Sequence, residues 1–228
     1  WLKPFLPMHK LLRPETADAV DECGGIDPAM DPRALDGMSP LQEMCNAVSM
    51  AFPLLLFVFC WLVYPGQDIR GPRTAALGLA LVLHLPFSCA YHIQLSRRSL
   101  KSATDCVPRR LDQSFIHVMC VITTWALSAN AWYAASCTLA NIYFIARLWS
   151  KNDAGVVERM ANIGIGVLLF GLAGFLRGDY ENFARGCLCW VAAASMIFFR
   201  LGGWGHAIFH VVFGGVVYSC VLSASQLQ

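Results

Sequence analysis

The stretch MCNAVSMAFPLLLFVFCWLVY at residues 44–64 runs for 21 residues without a charged side chain. A helix of this length rises about 30 Å, which matches the hydrocarbon thickness of a bilayer. Six comparable stretches follow, at roughly 74–95, 111–128, 130–148, 159–176, 181–199 and 203–224. The sequence therefore predicts an all-α membrane protein. Its seven transmembrane helices would form a bundle over residues 44–224, followed by a short C-terminal tail at 225–228.

The composition of the whole chain agrees with an integral, multi-pass membrane protein. Hydrophobic residues make up 57% of the 228 residues and charged residues only 14%, whereas soluble domains carry about 25% charged residues. The ten cysteines lie mostly within the apolar stretches, where cysteine packs as a small hydrophobe instead of forming a disulfide scaffold. The net charge of +2 and the lack of a basic run with interleaved aromatic residues exclude nucleic acid as a partner.

Residues 1–43 differ in composition from the rest of the chain. They hold eight of the 15 acidic residues and six of the 11 prolines. This composition predicts a solvated, mostly irregular arm, with one short helix near Glu15–Glu22. Such an arm could present a surface to protein partners.

The basic residues predict the orientation of the bundle. With seven spans, 13 of the 17 Lys and Arg residues fall on the side of the N-terminus and four on the other side. Lys and Arg are enriched in cytoplasmic loops. The N-terminus is therefore predicted to be inside and the C-terminus outside. The same rule holds in the plasma membrane, the endoplasmic reticulum and organellar inner membranes, so it does not select among them.

Ionisable side chains within the predicted spans are few, and they gather at one membrane face. His92 lies near the end of the second span, Asp112 at the start of the third, and His206 and His210 in the opening turns of the seventh. Ionisable residues are costly inside a bilayer and are functional candidates for that reason. His206 and His210 are four residues apart, so their imidazoles share one helix face and suit two ligands of a single zinc ion.

Neighbouring polar residues complete the candidate site. Ser88 lies four residues before His92, so its hydroxyl is predicted to point to the same place. Asp112 is expected to contact metal-bound water or to orient a ligand. Three histidine nitrogens would leave the fourth position of zinc open, as in catalytic sites. His84 and His117 are predicted to be hydrogen-bonded packing residues, although His84 could also line the cavity.

Three short motifs contain these residues and resemble the signatures of one superfamily. They are Ser88-Cys-Ala-Tyr-His92, Arg-Arg-Leu-Asp112-Gln-Ser-Phe-Ile and Gly-His206-Ala-Ile-Phe-His210-Val-Val. The superfamily, often called CREST, contains the progestin and adiponectin receptors (PAQR), the bacterial hemolysin III proteins and the alkaline ceramidases. Its members share Ser-x-x-x-His on the second helix, Asp on the third and His-x-x-x-His on the seventh. The third motif is most similar to the hemolysin III and adiponectin-receptor branch.

The resemblance implies a zinc ion held by His92, His206 and His210 within the bundle. Characterised members are hydrolases of lipid amides, or receptors with suspected ceramidase-like activity. By this likeness Asp112 would hold or deprotonate a water activated by zinc, and Ser88 would help to stabilise the developing oxyanion. The implied substrate is a long-chain, sphingolipid-like amide or ester that lies between the helices, with its carbonyl near the inner interface.

Two other functions remain open from the sequence. A receptor would use zinc structurally and signal through a cytoplasmic surface such as the arm at 1–43. A non-catalytic accessory subunit of a larger membrane complex would retain the metal site for folding. The small-residue runs at 164–166, 171–174 and 214–215 allow close helix contacts in such a complex, and fit internal packing at least as well. The seventh span has no lysine for retinal, which excludes a rhodopsin.

Overall fold

The computed structural model describes residues 38–63, 69–97, 106–150, 155–199 and 201–227, and within these ranges its regular elements are all helices. They are α1 (Pro40–Ser49), α2 (Ala51–Val63), α3 (Pro72–Ser96), α4 (Val107–Leu127), α5 (Ala131–Leu148), α6 (Val156–Leu176), α7 (Tyr180–Phe199) and α8 (Gly205–Ser225), with a 3-10 turn at Leu201–Gly203. Residues 1–37 of the predicted arm, including its short helix, lie outside the described residues.

The first span begins earlier than the sequence predicts. The helix begins at Pro40, four residues before position 44, and α1 and α2 form one segment because Met50 between them keeps helical angles. A capping box sets this start. The Ser39 hydroxyl accepts from the Gln42 backbone N–H at 3.2 Å, and the Gln42 side chain accepts from the Ser39 N–H at 2.7 Å. The additional turn brings Glu43 into the bundle, where it is 7% exposed.

Four helical segments are long and apolar enough to cross a membrane: Pro40–Val63, Pro72–Ser96, Val157–Leu176 and Gly205–Ser225. The helices α4, α5 and α7 have 21, 18 and 20 residues. The α4 helix buries Asp112, Gln113, Ser114 and His117, while α5 and α7 expose large apolar side chains such as Trp132, Leu139, Leu188 and Val191. Soluble proteins avoid large exposed apolar patches, so this surface indicates a membrane-embedded protein.

The helices form a ring of sequential neighbours that α8 closes. Each helix from α3 to α7 packs on the next one, and α8 packs on α7 on one side and on α1 and α2 on the other. The α8 helix also contacts α3 and α4, and α4 contacts α6. The C-terminal part of α3 and the first turns of α1, α4 and α8 therefore meet at one end of the bundle.

The cysteines in this bundle are packing residues. Cys60, Cys120 and Cys137 are buried, and the nine cysteines among the described residues are all free thiols. This confirms, for that part of the chain, the prediction that the cysteines do not form a disulfide scaffold. Their sulfur atoms fill apolar space between helices.

Adjacent glycines allow α8 to approach two neighbouring helices closely. A Cβ atom added at Gly215 would lie 2.6 Å from the Cys189 Sγ atom on α7, and one added at Gly214 would lie 2.8 Å from the Phe52 ring on α2. Both distances are shorter than real Cβ contacts. The small-residue run at 214–215 is thus used for packing within the bundle, as the sequence allowed. A Cβ atom at Gly164, in contrast, would meet no atom within 4 Å.

The turn between α6 and α7 is tied to the end of α8 by a polar network. The Arg177 guanidinium donates to the Asp179 carboxylate at 2.8 Å, to the Ser223 hydroxyl at 2.7 Å, and to the Ser223 carbonyl. The Ser223 hydroxyl and the Asn182 amide in turn donate to Asp179 at 2.6 and 3.0 Å. Gly178 has φ +89°, a left-handed conformation that favours glycine and lets the chain reverse here.

Replacing Gly215 with alanine tests the close contact between α7 and α8. The new methyl group would meet the Cys189 sulfur, and overpacking of this kind lowers the free energy of unfolding by about 1–3 kcal/mol. We expect a lower midpoint of thermal unfolding in detergent, measured with a thiol-reactive dye. The double variant Gly215→Ala/Cys189→Ala should recover most of the loss. Gly164→Ala is the matched control, and an equal loss there would contradict this interpretation.

The polar network at the α6–α7 turn predicts a pH dependence of stability. Burial opposes ionisation of Asp179, but the hydrogen bonds from its three partners and the Arg177 charge outweigh burial and hold its pKa below the ordinary value of 3.8. This stabilisation is complete above the unfolded-state pKa and is lost as pH falls through the folded-state pKa. Below about pH 4, we therefore expect the unfolding midpoint to fall more steeply for wild type than for Asp179→Asn. Parallel melting curves across the acidic range would contradict this.

Candidate metal centre

Three histidines from two helices converge at the end of the bundle described above. His92 lies near the C-terminus of α3, and His206 and His210 lie one turn apart near the start of α8. Their ligand nitrogens all lie within 4.8 Å of one another. The ring centroids are 4.7 Å apart for the two α8 histidines, and the His92 ring lies 4.9 and 6.1 Å from them. The structure thus brings together the three residues that the sequence predicts as metal ligands.

The cluster has the donor set of a transition-metal site. Imidazole nitrogens bind zinc, copper, iron and nickel, and here three of them, from two buried side chains and one half-buried side chain, form a compact ligand group. His92 and His210 are 3% and 4% exposed. Around a tetrahedral ion with bonds of about 2.1 Å, neighbouring nitrogens lie about 3.4 Å apart, which is comparable with the spacing of up to 4.8 Å in this cluster. His92, His206 and His210 can therefore hold a metal ion.

Two side chains of α1 contact the outer nitrogens of this cluster. The Glu43 Oε2 atom lies 2.8 Å from His92 Nδ1, and the Ser49 Oγ atom lies 2.8 Å from His210 Nδ1. Both contacts occupy Nδ1 and leave Nε2 as the nitrogen for a metal. Hydrogen bonds of this kind orient the ligating rings in metalloproteins.

Neither contact was predicted from the sequence, and the reasons differ. Placing the first span at 44–64 assigned Glu43 to the solvated arm, so its carboxylate was not counted among the ionisable groups inside the bundle. The signal that would have found it is the Ser39-Pro-Leu-Gln42 capping box, which marks a helix start at Pro40. Nothing in the local sequence distinguishes Ser49 from other serines in apolar helices.

Asp112 lies beside the histidine cluster with two partners of its own. Its Oδ1 atom is 3.2 Å from His84 Nε2, and its Oδ2 atom is 3.9 Å from Arg109 Nη1. The Arg109 guanidinium also lies over the Tyr91 ring, 4.8 Å from its centroid. The side chains of α3 and α4 therefore compensate the Asp112 carboxylate inside the bundle. His84, predicted to be a hydrogen-bonded packing residue, has Asp112 as its hydrogen-bond partner.

Ser88 and His117 lie where their spacing predicts. Ser88 is buried on α3, one turn before His92 and on the same side of the helix. His117 points away from the cluster, where its Nδ1 atom lies 2.9 Å from Asn141 Oδ1 on α5 and its ring packs on Phe144. The predicted packing role of His117 is thus confirmed.

No protein-family model, curated protein or solved structure matches the chain. The structure itself shows an all-helical bundle over the described residues, with four helical segments able to cross a membrane. At one end of this bundle, three buried or half-buried histidines form a cluster that can hold a metal ion.

The metal content of the purified protein tests this cluster. We expect about one transition-metal ion per chain in the wild type and none in His206→Ala/His210→Ala, because one remaining imidazole cannot hold an ion by itself. Mass spectrometry of the detergent-purified proteins measures both. His117→Gln is the matched control, since it changes a buried histidine outside the cluster and should keep the ion. A wild type without metal, after loading and desalting, would contradict the assignment.

Proposed function

We propose that this protein is a zinc-dependent membrane hydrolase of lipid amides and a member of the CREST superfamily, nearest to its hemolysin III and adiponectin-receptor branch. One observation carries the proposal. The three histidines of the Ser-x-x-x-His and His-x-x-x-His motifs have ligand nitrogens within 4.8 Å of one another, and Asp112 of the third motif pairs with His84 on the helix that carries His92. In this proposal, separate stretches of sequence would supply the metal ligands and the acid–base group.

The proposed topology has seven crossings with the N-terminus inside. The segment α1–α2 and the six helices α3 to α8 each contain 18 to 25 residues, enough for a hydrocarbon core about 30 Å thick. The excess of Lys and Arg on the N-terminal side supports the orientation. In this arrangement the histidine cluster lies near the inner interface, where the polar head of a lipid meets its acyl chain.

Zinc is the ion that the donor set favours. Three neutral histidines with a fourth position open form the ligand set of catalytic zinc sites. When bound, zinc would supply a Lewis acid and lower the pKa of water at the open position.

The polar groups beside the cluster have the chemistry that amide hydrolysis requires. Asp112 would take the proton of the attacking water and deliver it to the leaving amine. Its hydrogen bond to His84 and its proximity to Arg109 hold the carboxylate in one orientation. Ser88, one turn from His92, would donate its hydroxyl to the oxyanion that develops on the substrate carbonyl.

An apolar cavity supports a lipid as the substrate. It has a volume of about 270 Å³ and lies between α6, α7 and α8, with Trp190 among its lining residues. The Trp190 ring packs on Phe209, and Phe209 packs on His206, with centroid distances of 5.9 and 6.0 Å. A chain of aromatic contacts therefore connects the cavity to a metal ligand. Apolar cavities of this kind accept hydrocarbon chains.

Hydrolysis by metal-loaded protein tests the proposed function. We expect the wild type to cleave at least one class among sphingolipid amides, other lipid amides and phospholipid esters. His210→Ala should abolish turnover by removing a ligand. Asp112→Asn should lower kcat by about 10²–10⁴-fold, the usual contribution of general acid–base catalysis, while keeping its metal. Product release is measured by mass spectrometry, with His117→Gln as the control.

Absence of lipid hydrolysis would contradict the proposed function. If zinc-loaded wild type releases no fatty acid from any of these lipids, the hydrolase proposal is wrong. The metal site would then serve a receptor or an accessory subunit, in which zinc holds α3 and α8 together.

A further inference from the structure

We propose that α1 positions two of the three metal ligands by fixing their tautomers, with Glu43 acting on His92 and Ser49 acting on His210. A neutral imidazole carries its proton on Nδ1 or on Nε2, and only the unprotonated nitrogen can bind a metal. The inference rests on the metal site of the proposed function and not on its hydrolytic step. It makes Glu43 and Ser49 positioning residues of the metal centre.

The hydrogen bonds of Ser49 determine the tautomer of His210. A serine hydroxyl has one hydrogen to donate, and Ser49 donates it to the Asn46 carbonyl oxygen at 3.0 Å. The Ser49 oxygen can then only accept in its 2.8 Å contact with His210 Nδ1. His210 must carry its proton on Nδ1, which leaves the lone pair of Nε2 for a metal ion.

The hydrogen bonds of Glu43 determine the tautomer of His92 in the same way. An ionised carboxylate only accepts hydrogen bonds. The Glu43 Oε2 atom accepts from the Asn46 side-chain amide at 3.3 Å and lies 2.8 Å from His92 Nδ1. Opposite an ionised Glu43 carboxylate, His92 is thus also the Nδ1–H tautomer. A carboxylate behind a ligating histidine fixes the ring and raises its basicity toward the metal.

The position of α1 is set by contacts to both helices that carry the ligands. The Gln42 side chain lies directly against Gly203, where an added Cβ would be 2.6 Å from its Nε2 atom, and Gly203 belongs to the turn that precedes α8. On the other side, the Cys89 thiol of α3 donates to the Ala47 carbonyl at 3.2 Å. Because α1 contacts the ligands themselves, metal binding and the docking of α1 should stabilise each other by the same factor.

Metal affinity, measured by competition with a chromogenic chelator, tests the two positioning residues. We expect Glu43→Met, which keeps the side-chain length but replaces the carboxylate with a weakly accepting thioether, to weaken metal binding by about 10–100-fold. The matched control is Glu158→Met, the same change at an exposed ion pair with Arg147, which should leave affinity unchanged. Unchanged affinity in Glu43→Met would overturn the role of Glu43.

Comparing a threonine variant with a valine variant at position 49 distinguishes the effect of the hydroxyl group from the effect of side-chain packing. Ser49→Thr and Ser49→Val have the same shape, but only threonine retains the oxygen that accepts from His210. We expect Ser49→Val to bind metal about 10-fold more weakly than Ser49→Thr. Equal affinities would overturn the role of Ser49. Since both variants add the same methyl group, a general folding defect would weaken both alike and could not imitate the expected difference.

The tautomers can be observed directly in the metal-free protein. In histidine-labelled protein in lipid bilayers, ¹⁵N chemical shifts distinguish Nδ1–H from Nε2–H imidazole, with assignments from His92→Gln and His210→Gln. We expect the Nδ1–H form for both rings. The Nε2–H form at either ring would overturn the proposal for that ligand.

These readouts are independent of the hydrolase proposal. Weaker metal binding in Glu43→Met and Ser49→Val supports the inference even if no lipid amide is cleaved. Wild-type affinity in both variants, together with lipid hydrolysis, would overturn the inference and leave the proposed function intact.

Discussion

Polar side chains inside this apolar bundle must form hydrogen bonds or ion pairs with one another, and the packing of the helices depends on that requirement. Water does not hydrate groups in the hydrocarbon region, so an unpaired ionisable side chain there is costly. Three buried histidines meet the requirement by pairing across helix boundaries. His92 of α3 pairs with Glu43 of α1, His84 of α3 with Asp112 of α4, and His117 of α4 with Asn141 of α5. These pairs define how neighbouring helices are aligned along their length.

The α8 helix connects the two ends of the bundle. Its first turns carry two of the three clustered histidines, its middle uses Gly214 and Gly215 to approach α2 and α7, and its last turns carry Ser223 of the polar network at the α6–α7 turn. The histidine cluster and the turn at Gly178 are therefore attached to the same helix. A metal ion bound by His92 as well would join α3 to α8 and complete the ring of helices at the end where α1 docks.

Part of the candidate site could be predicted from the chain alone because local spacing determines which residues share a helix face. The period of the α-helix is enough to predict that His206 and His210 share one helix face. The alternating direction of successive spans is enough to predict that His92 lies at the same end of the bundle. The contacts of Glu43 and His84 could not be predicted this way. Glu43 was excluded by a helix start placed four residues too late. His84 lies eight residues before His92, and its role depends on which side of α4 faces α3.

The sequence by itself determined the class of the protein, because apolar stretches of about 20 residues have few stable forms other than membrane helices. It also indicated which histidines could act together, since the spacing of His206 and His210 on one helix face is a local property. Only the tertiary structure decided which side chains contact the Nδ1 atoms of two of these histidines. Glu43 and Ser49 reach His92 and His210 across 49 and 161 residues of chain. Such pairs arise from the packing of α1 against α3 and α8, which no local pattern encodes.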